Sequence, residues 1–251
     1  MRMNVSAEPG GVDLPPLSAR SVVLSLLLGT HPPELAAKDL VRGLELFDVG
    51  GSTVRAALSR MVAAGDLRRT DGVYRLSDRL RERQRRQDDS LHPDTRAWDG
   101  DWETAVITST GRGPAERAEL RTRLSALRLA ELREGVWLRP ANLGRPWPSD
   151  LGDVLQRFTA RPAAPARDLA ASLWPLDAWA ATARALRAQV DRTERPADRM
   201  TVLAAVVRHL LADPVLPTAL LPADWPGPVL RSTYDRCQRE LTETALGPGR
   251  R

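Results

Sequence analysis

Residues 51–76, GSTVRAALSRMVAAGDLRRTDGVYRL, constrain the fold of this chain more than any other stretch. Val54, Ala57, Leu58, Met61 and Val62 recur at the spacing of one apolar helix face. Wound at about 100° per residue, the same segment turns Ser52, Arg55, Ala56, Ser59 and Ala63 to the opposite side. Two β-type runs follow, Asp66–Thr70 and Val73–Leu76, joined by Asp71-Gly72. That pair suits a tight hairpin, whose central residues both need positive φ. A helix with a small, cationic outer face followed by an arginine-bearing hairpin predicts a winged helix-turn-helix, with Ser52 as the helix N-cap.

The upstream residues supply the rest of such a module. Ser18 can cap a helix carrying Val22, Val23, Leu26 and Leu27, ended by Gly29 and the Pro32-Pro33 break. A second helix is expected over about Ala36–Leu46, and Phe47–Gly51 reads as the turn. The winged-helix domain is therefore read as 18–76, behind a disordered arm at 1–17 rich in Pro and Gly. An ordinary helical subdomain with a surface hairpin is the alternative.

Charge favours the first reading. The chain has net charge +5, and Lys38 is its one lysine. Residues 52–86 hold ten arginines against Asp66, Asp71, Asp78 and Glu82, a balance of +6 that leaves the remainder at −1. All the excess sits in the proposed reader and the helix after it, as an electrostatic footprint for nucleic acid should.

Residues 77–97 read as a helical connector and linker. Arg81, Arg83, Arg85 and Arg86 make no single face, which suits either a solvated connector or phosphate contact. Residues 98–160 follow as strand (Thr104–Thr108), helix (Ala115–Leu129), strand (Gly135–Leu138) and a third β-type run at Val154–Thr159. This order suggests a small α+β sandwich, although one strand is hard to find in Asn142–Ser149, which Gly144, Pro146 and Pro148 interrupt. After a hinge at Ala160–Ala166, residues 167–246 read as a helical domain for effector binding and dimerisation, with 247–251 as a tail. Asp177 is a plausible cap within it. Its prolines at 214, 217, 222, 226 and 228 forbid helix or central strand and predict a segment wrapping the surface.

Catalytic chemistry finds little support. His31, His92 and His209 stand apart, outside any metal-ligand spacing, and the single cysteine, Cys237, has no neighbouring base. No Walker loop, GxSxG or GxGxxG occurs. No catalytic residue, metal or cofactor is expected. One cysteine excludes an internal disulfide, and no apolar stretch suits a signal peptide or a membrane span, so a cytoplasmic protein without membrane partners is expected.

Four stretches together resemble the PaaX-like family of transcriptional regulators: STVRAALSRMVAAGDL with its hairpin, WDGDWETAVIT with REGVWLRPANL, LWPLDAW, and DPVLPTALLPADWPG. The resemblance runs from about Ser18 to Ala245. It implies an α+β, multidomain chain: an N-terminal winged helix, a central ferredoxin-like domain related to the small CRISPR-associated endoribonuclease fold, and a C-terminal helical domain. It further implies a homodimeric repressor of aromatic-acid catabolism released by an aryl-CoA thioester such as phenylacetyl-CoA. Two departures stand out. The family's His-Glu pair before the Asp-Pro element is replaced here by Ala204-Ala205-Val206-Val207-Arg208-His209, and the strand that ends in an aspartate in the nuclease relatives ends here in Ile107-Thr108.

The expected DNA contacts are Arg55, suited to bidentate bonding with guanine, and Ser52, Thr53 and Ser59, donors to phosphates or base edges. Arg60 either joins them or pairs within the domain with Asp39 or Glu45. Arg68, Arg69 and Arg75 are the candidates in the wing, of which one or two should touch DNA. Trp174, Trp179 and Trp225, with Arg208 toward a phosphate, are the candidate effector residues, for an acyl-CoA-type molecule held between the central and C-terminal domains. The partners expected are double-stranded DNA carrying an inverted-repeat operator, that effector and a second copy of the chain. An enzyme (a nuclease or a CoA-thioester-handling protein) and a non-specific architectural DNA binder are the alternatives.

Overall fold

A computed structural model describes Val12 and residues 14–247; of the arm expected to be disordered at 1–17, residues 1–11 and 13 lie outside the described residues, as does the tail expected at 247–251 beyond Gly247. In chain order the elements are α1 (Ala19–Leu28), β1 (Glu34–Ala36), α2 (Ala37–Glu45), α3 (Gly51–Ala63), β2 (Leu67–Thr70), β3 (Val73–Leu76) and α4 (Asp78–Leu91). These are followed by β4 (Trp102–Ile107), α5 (Pro114–Ala126), β5 (Ala130–Arg133), β6 (Val136–Pro140) and β7 (Leu155–Ala160). Last come α6 (Ala166–Leu173), α7 (Leu176–Arg192), α8 (Pro196–Leu211) and α9 (Gly227–Leu246). Contacts group them into two compact units. Unit 1 takes the chain up to Leu91, Ala180–Asp213 and the part from Pro226; unit 2 takes His92–Trp179 and Pro214–Trp225. The sequence reading lays three folded segments in a row, whereas α8 and α9 belong to the same unit as α1 to α4.

In unit 1, Ser18 caps α1 by accepting the Ser21 N–H at 3.2 Å, and Gly29 ends it. The cap of α3 is Gly50, in extended conformation, and Ser52 lies inside the helix, which corrects the expected N-cap. β1, three residues long, is too short to leave a periodic signal in sequence. It pairs with β3 in an antiparallel sheet of order β1-β3-β2. Asp71 and Gly72 have φ of 51° and 75°, as the hairpin turn requires.

α4 is not a solvated connector. Leu80, Gln84, Gln87 and Leu91 form a buried stripe along it. The Gln84 side-chain amide donates to the carbonyls of Leu28 and Thr30, each at 3.0 Å, at the end of α1 where the helix leaves its own carbonyls without partners. α8 packs on α4 and α9, and α9 also packs on α2. That last contact is close: a Cβ on Gly43 would lie 3.3 Å from Leu246 Cδ2 and 3.4 Å from the Ala245 carbonyl. The stripe Leu230, Tyr234, Cys237 and Leu241 on α9 is buried throughout.

In unit 2 the sheet order is β5-β6-β4-β7, antiparallel at every pairing. β5 is the strand missing from the sequence reading. Arg128, at φ 62°, stops the helical pattern of α5, and Gly135, at φ 79°, turns the chain into β6. Period-two alternation divides β4 between two cores. Ala105 and Ile107 join Leu120, Leu124 and Trp137, while Trp102 joins Leu138, Ala170 of α6, and Leu216, Leu220 and Leu221. The proline-punctuated segment therefore enters the core instead of wrapping the surface. Prolines deny it helical bonding, but the Val215 carbonyl accepts from Arg139 at 3.1 Å and from Asn142 at 3.0 Å. Asp177, expected as a cap, lies in the first turn of α7, which starts a residue earlier.

Candidate nucleic-acid interface

α3 displays two chemically distinct faces. Val54, Ala57, Leu58 and Met61 are buried, whereas Ser52, Thr53, Arg55, Ala56, Ser59 and Arg60 are exposed. Val62, read as part of the apolar face, is partly exposed instead, at the helix's last turn. α1 and α2 pack on the buried face, so the outer face is held on a supported helix. Neither Arg55 nor Arg60 forms an ion pair among the described residues, and the pairing of Arg60 with Asp39 or Glu45 is not present; Asp39 lies 3.7 Å from Arg42 instead. The face thus offers hydroxyl donors and two guanidinium groups free to bond an external acceptor.

The hairpin's arginines divide. Arg68 and Arg75 stand opposite each other across β2 and β3, a like-charge pair relieved by acids on either side. Arg68 binds Asp78 at 2.6 Å and Arg75 binds Glu34 at 2.6 Å. Arg69 pairs instead with Tyr74, its guanidinium 5.7 Å from the ring centroid, over a tyrosine that is itself buried. At the foot of the hairpin, Asp66 is buried between two guanidinium groups. Arg20 donates to it at 2.7 Å, and Arg79 donates to its other oxygen.

The expected effector residues fall in different units. Trp174, Trp179 and Trp225 belong to unit 2 and Arg208 to unit 1. Trp179 and Trp225 stack on each other with centroids 4.5 Å apart, and Trp174 stacks on Trp102 at 6.4 Å, so much of their ring surface is spent on core packing. Arg208 instead lines a cavity in unit 1 together with residues of α1, α4, α8 and α9. Sequence reasoning missed that cavity because its walls come from four segments far apart in the chain. Its signs in the sequence are isolated arginines, Arg83 and Arg86 on α4 and Arg208 on α8. Tyr234, on its wall, is buried, and desolvation first, then nearby Asp235 and Asp88, push its hydroxyl pKa well above the ordinary value.

Among the described residues, no group of three His, Cys, Asp or Glu is placed to hold a metal ion, and no described helix is long and apolar enough to cross a membrane. A supported helix with hydroxyl and guanidinium donors on its outer face thus stands next to a basic hairpin. Comparison with known proteins gives the particular family. Profiles described as PaaX-like protein, PaaX protein central Cas2-like domain and PaaX-like protein C-terminal domain match residues 18–80, 95–154 and 173–247. The chain belongs to the PaaX-like family, whose members are DNA-binding transcriptional regulators rather than enzymes. It is similar to a solved structure, the uncharacterized protein Rv0674 from Mycobacterium tuberculosis, at 47% identity and TM-score 0.81 over 91% of this chain and 97% of that one. No curated protein matches the sequence.

Proposed function

We propose that this protein is a sequence-specific transcriptional repressor that binds an inverted-repeat operator as a homodimer and is released by a small-molecule effector. The exposed face of α3 carries the reading. It supports a winged helix-turn-helix over residues 18–76, in which α3 enters the major groove and the β2–β3 hairpin follows the backbone. Arg55 reads a guanine, Ser52, Thr53 and Ser59 bond phosphates or base edges, and Arg60 flanks them. The sheet order of unit 2, with α5 on one face, supports the ferredoxin-like reading of its strands. Release follows when an effector binds the DNA-competent and the DNA-incompetent form with different affinity. The family suggests phenylacetic acid catabolism as the regulated process.

Selection of bound fragments from random duplex DNA, followed by gel-shift titration, tests this. A recovered inverted repeat and a loss of preference in Arg55→Ala are the expected results. Fragments bound without any preference would make the protein an architectural binder, and an unchanged Arg55→Ala profile would remove α3 from the groove.

A further inference from the structure

Unit 1 contains a cavity of about 780 Å³, a size within the usual range of small-molecule sites, roughly 300–1,000 Å³. Leu24 and Leu28 of α1 and Leu203 and Val207 of α8 give it an apolar lining, and Ala204 is a small residue on the same wall. Gln87 and Tyr234 add polar groups. Arg20, Arg83, Arg86 and Arg208 also line it, and among the described residues no aspartate or glutamate does. Elsewhere in this unit arginines find acids, as in Arg68–Asp78, Arg75–Glu34, Arg195–Asp48 and Arg231–Asp213. Arg83, Arg86 and Arg208 have no carboxylate partner among the described residues. An apolar cleft bordered by several guanidinium groups suits a ligand that is apolar at one end and anionic at the other.

We propose that this cavity binds a small molecule with an anionic head, carboxylate or phosphate, and a compact apolar body, and that its occupation weakens operator binding. The apolar walls take the body and the arginines take the head through charge-assisted hydrogen bonds. Arg20 provides the link to DNA. It lines the cavity and also holds Asp66 through Nε at 3.1 Å and Nη2 at 2.7 Å. Asp66 fixes the junction of α3 and the hairpin: its N–H donates to the Met61 carbonyl, and its carbonyl accepts from Ser77, both at 2.9 Å. A bound anion competes with Asp66 for Arg20 and leaves that junction with Arg79 alone. This second clause rests on the reading of α3 and the hairpin as the DNA-binding elements; binding in the cavity does not.

Calorimetric titration of the full chain with octyl phosphate, octanoate and octanol, without DNA, tests the site. Both anions should bind at least about tenfold more tightly than octanol, the tighter one identifying the preferred head group. Arg86→Gln and Arg208→Gln, both exposed and so tolerated by the fold, should each weaken anion binding about tenfold and leave octanol unaffected. Ala204→Phe should block all three ligands. Equal affinity for octanol and the anions, or unchanged octyl phosphate binding in both arginine variants, overturns the proposal. So does an Arg86→Gln protein that loses DNA affinity but keeps octyl phosphate, which would assign the arginines to the DNA backbone. Operator affinity that does not fall when the anion is bound overturns the coupling. Absence of any operator preference in the unliganded protein is a separate result, which fails the DNA reading while the DNA-free titrations stand.

Discussion

Arg139 and Arg55 have the same side chain in opposite surroundings. Arg139, on β6 of unit 2, is fully buried and donates to Asn142 Oδ1 at 2.8 Å and to the carbonyls of Val215 and Pro140 at 3.1 Å. Its Nε lies 3.4 Å from Glu103, a carboxylate that also meets Arg145 at 3.3 Å and the Trp147 indole N–H at 2.8 Å. Arg55, on α3 of unit 1, is exposed and has no carboxylate to hold among the described residues. In a chain where arginine supplies nearly all the positive charge, the number of arginines therefore says little about function. The surroundings decide: a guanidinium whose hydrogen-bonding capacity is filled from within organises the fold, and one left open awaits a ligand.

Truncating the filled arginine should have the largest effect. Arg139→Met leaves the buried Val215 carbonyl and Asn142 short of a donor and removes one cation from Glu103. Breaking a buried charged network in this way costs about 3–5 kcal/mol. All seven tryptophans lie in unit 2 and both tyrosines in unit 1, so tryptophan fluorescence reports the unfolding of unit 2 alone. A urea midpoint shifted by less than the equivalent of about 1 kcal/mol would show that the network is dispensable. Arg55→Ala should do the reverse: unchanged melting, with about 1–3 kcal/mol lost in discrimination between the selected operator and a scrambled duplex. A destabilised Arg55→Ala protein would mean that this arginine is also structural, and the contrast would collapse.

A smaller effect belongs to a residue between these extremes. Gln84 is neutral and buried, and its amide bonds the end of α1. Gln84→Ala should cost about 1–2 kcal/mol, since two accepting carbonyls lose their donor. Tyrosine fluorescence and helical ellipticity of unit 1 would measure it. Stability equal to the parent's would mean that water replaces the amide there.

These residues also show what a sequence can reveal. The two faces of α3 are legible because burial and exposure alternate with the helical period, and the Asp71-Gly72 turn is legible because its conformation restricts the residue types. α4 misleads, since glutamines occupy two positions of its buried stripe and disguise it as a solvated connector. β5 leaves little signal, since its four residues show no alternating burial and follow α5 directly after the backbone reversal at Arg128. The proline-punctuated segment enters the core because unit 2 provides Arg139 and Asn142 for its carbonyl, partners more than seventy positions away. The cavity of unit 1 is illegible for the same reason: its walls meet only once α8 and α9 have returned to α1 and α4.

The finest test lies within the hairpin, where both kinds of arginine occur a few residues apart. Arg68 and Arg75 are engaged by Asp78 and Glu34, whereas Arg69 rests over the Tyr74 ring with no acid partner among the described residues. A phosphate must compete with a carboxylate for the first two but not for the third. Arg69→Gln should therefore reduce the slope of log affinity against log salt by about 0.9, the contribution of one phosphate contact on duplex DNA. Arg68→Gln and Arg75→Gln should change that slope less, because each is already neutralised in the free protein. Gel shifts at four or more salt concentrations, on the selected operator and on a scrambled duplex, give the three slopes. Equal reductions for all three variants would mean that the Asp78 and Glu34 pairs open on binding, and the distinction between filled and open arginines would then hold for α3 but not for the hairpin.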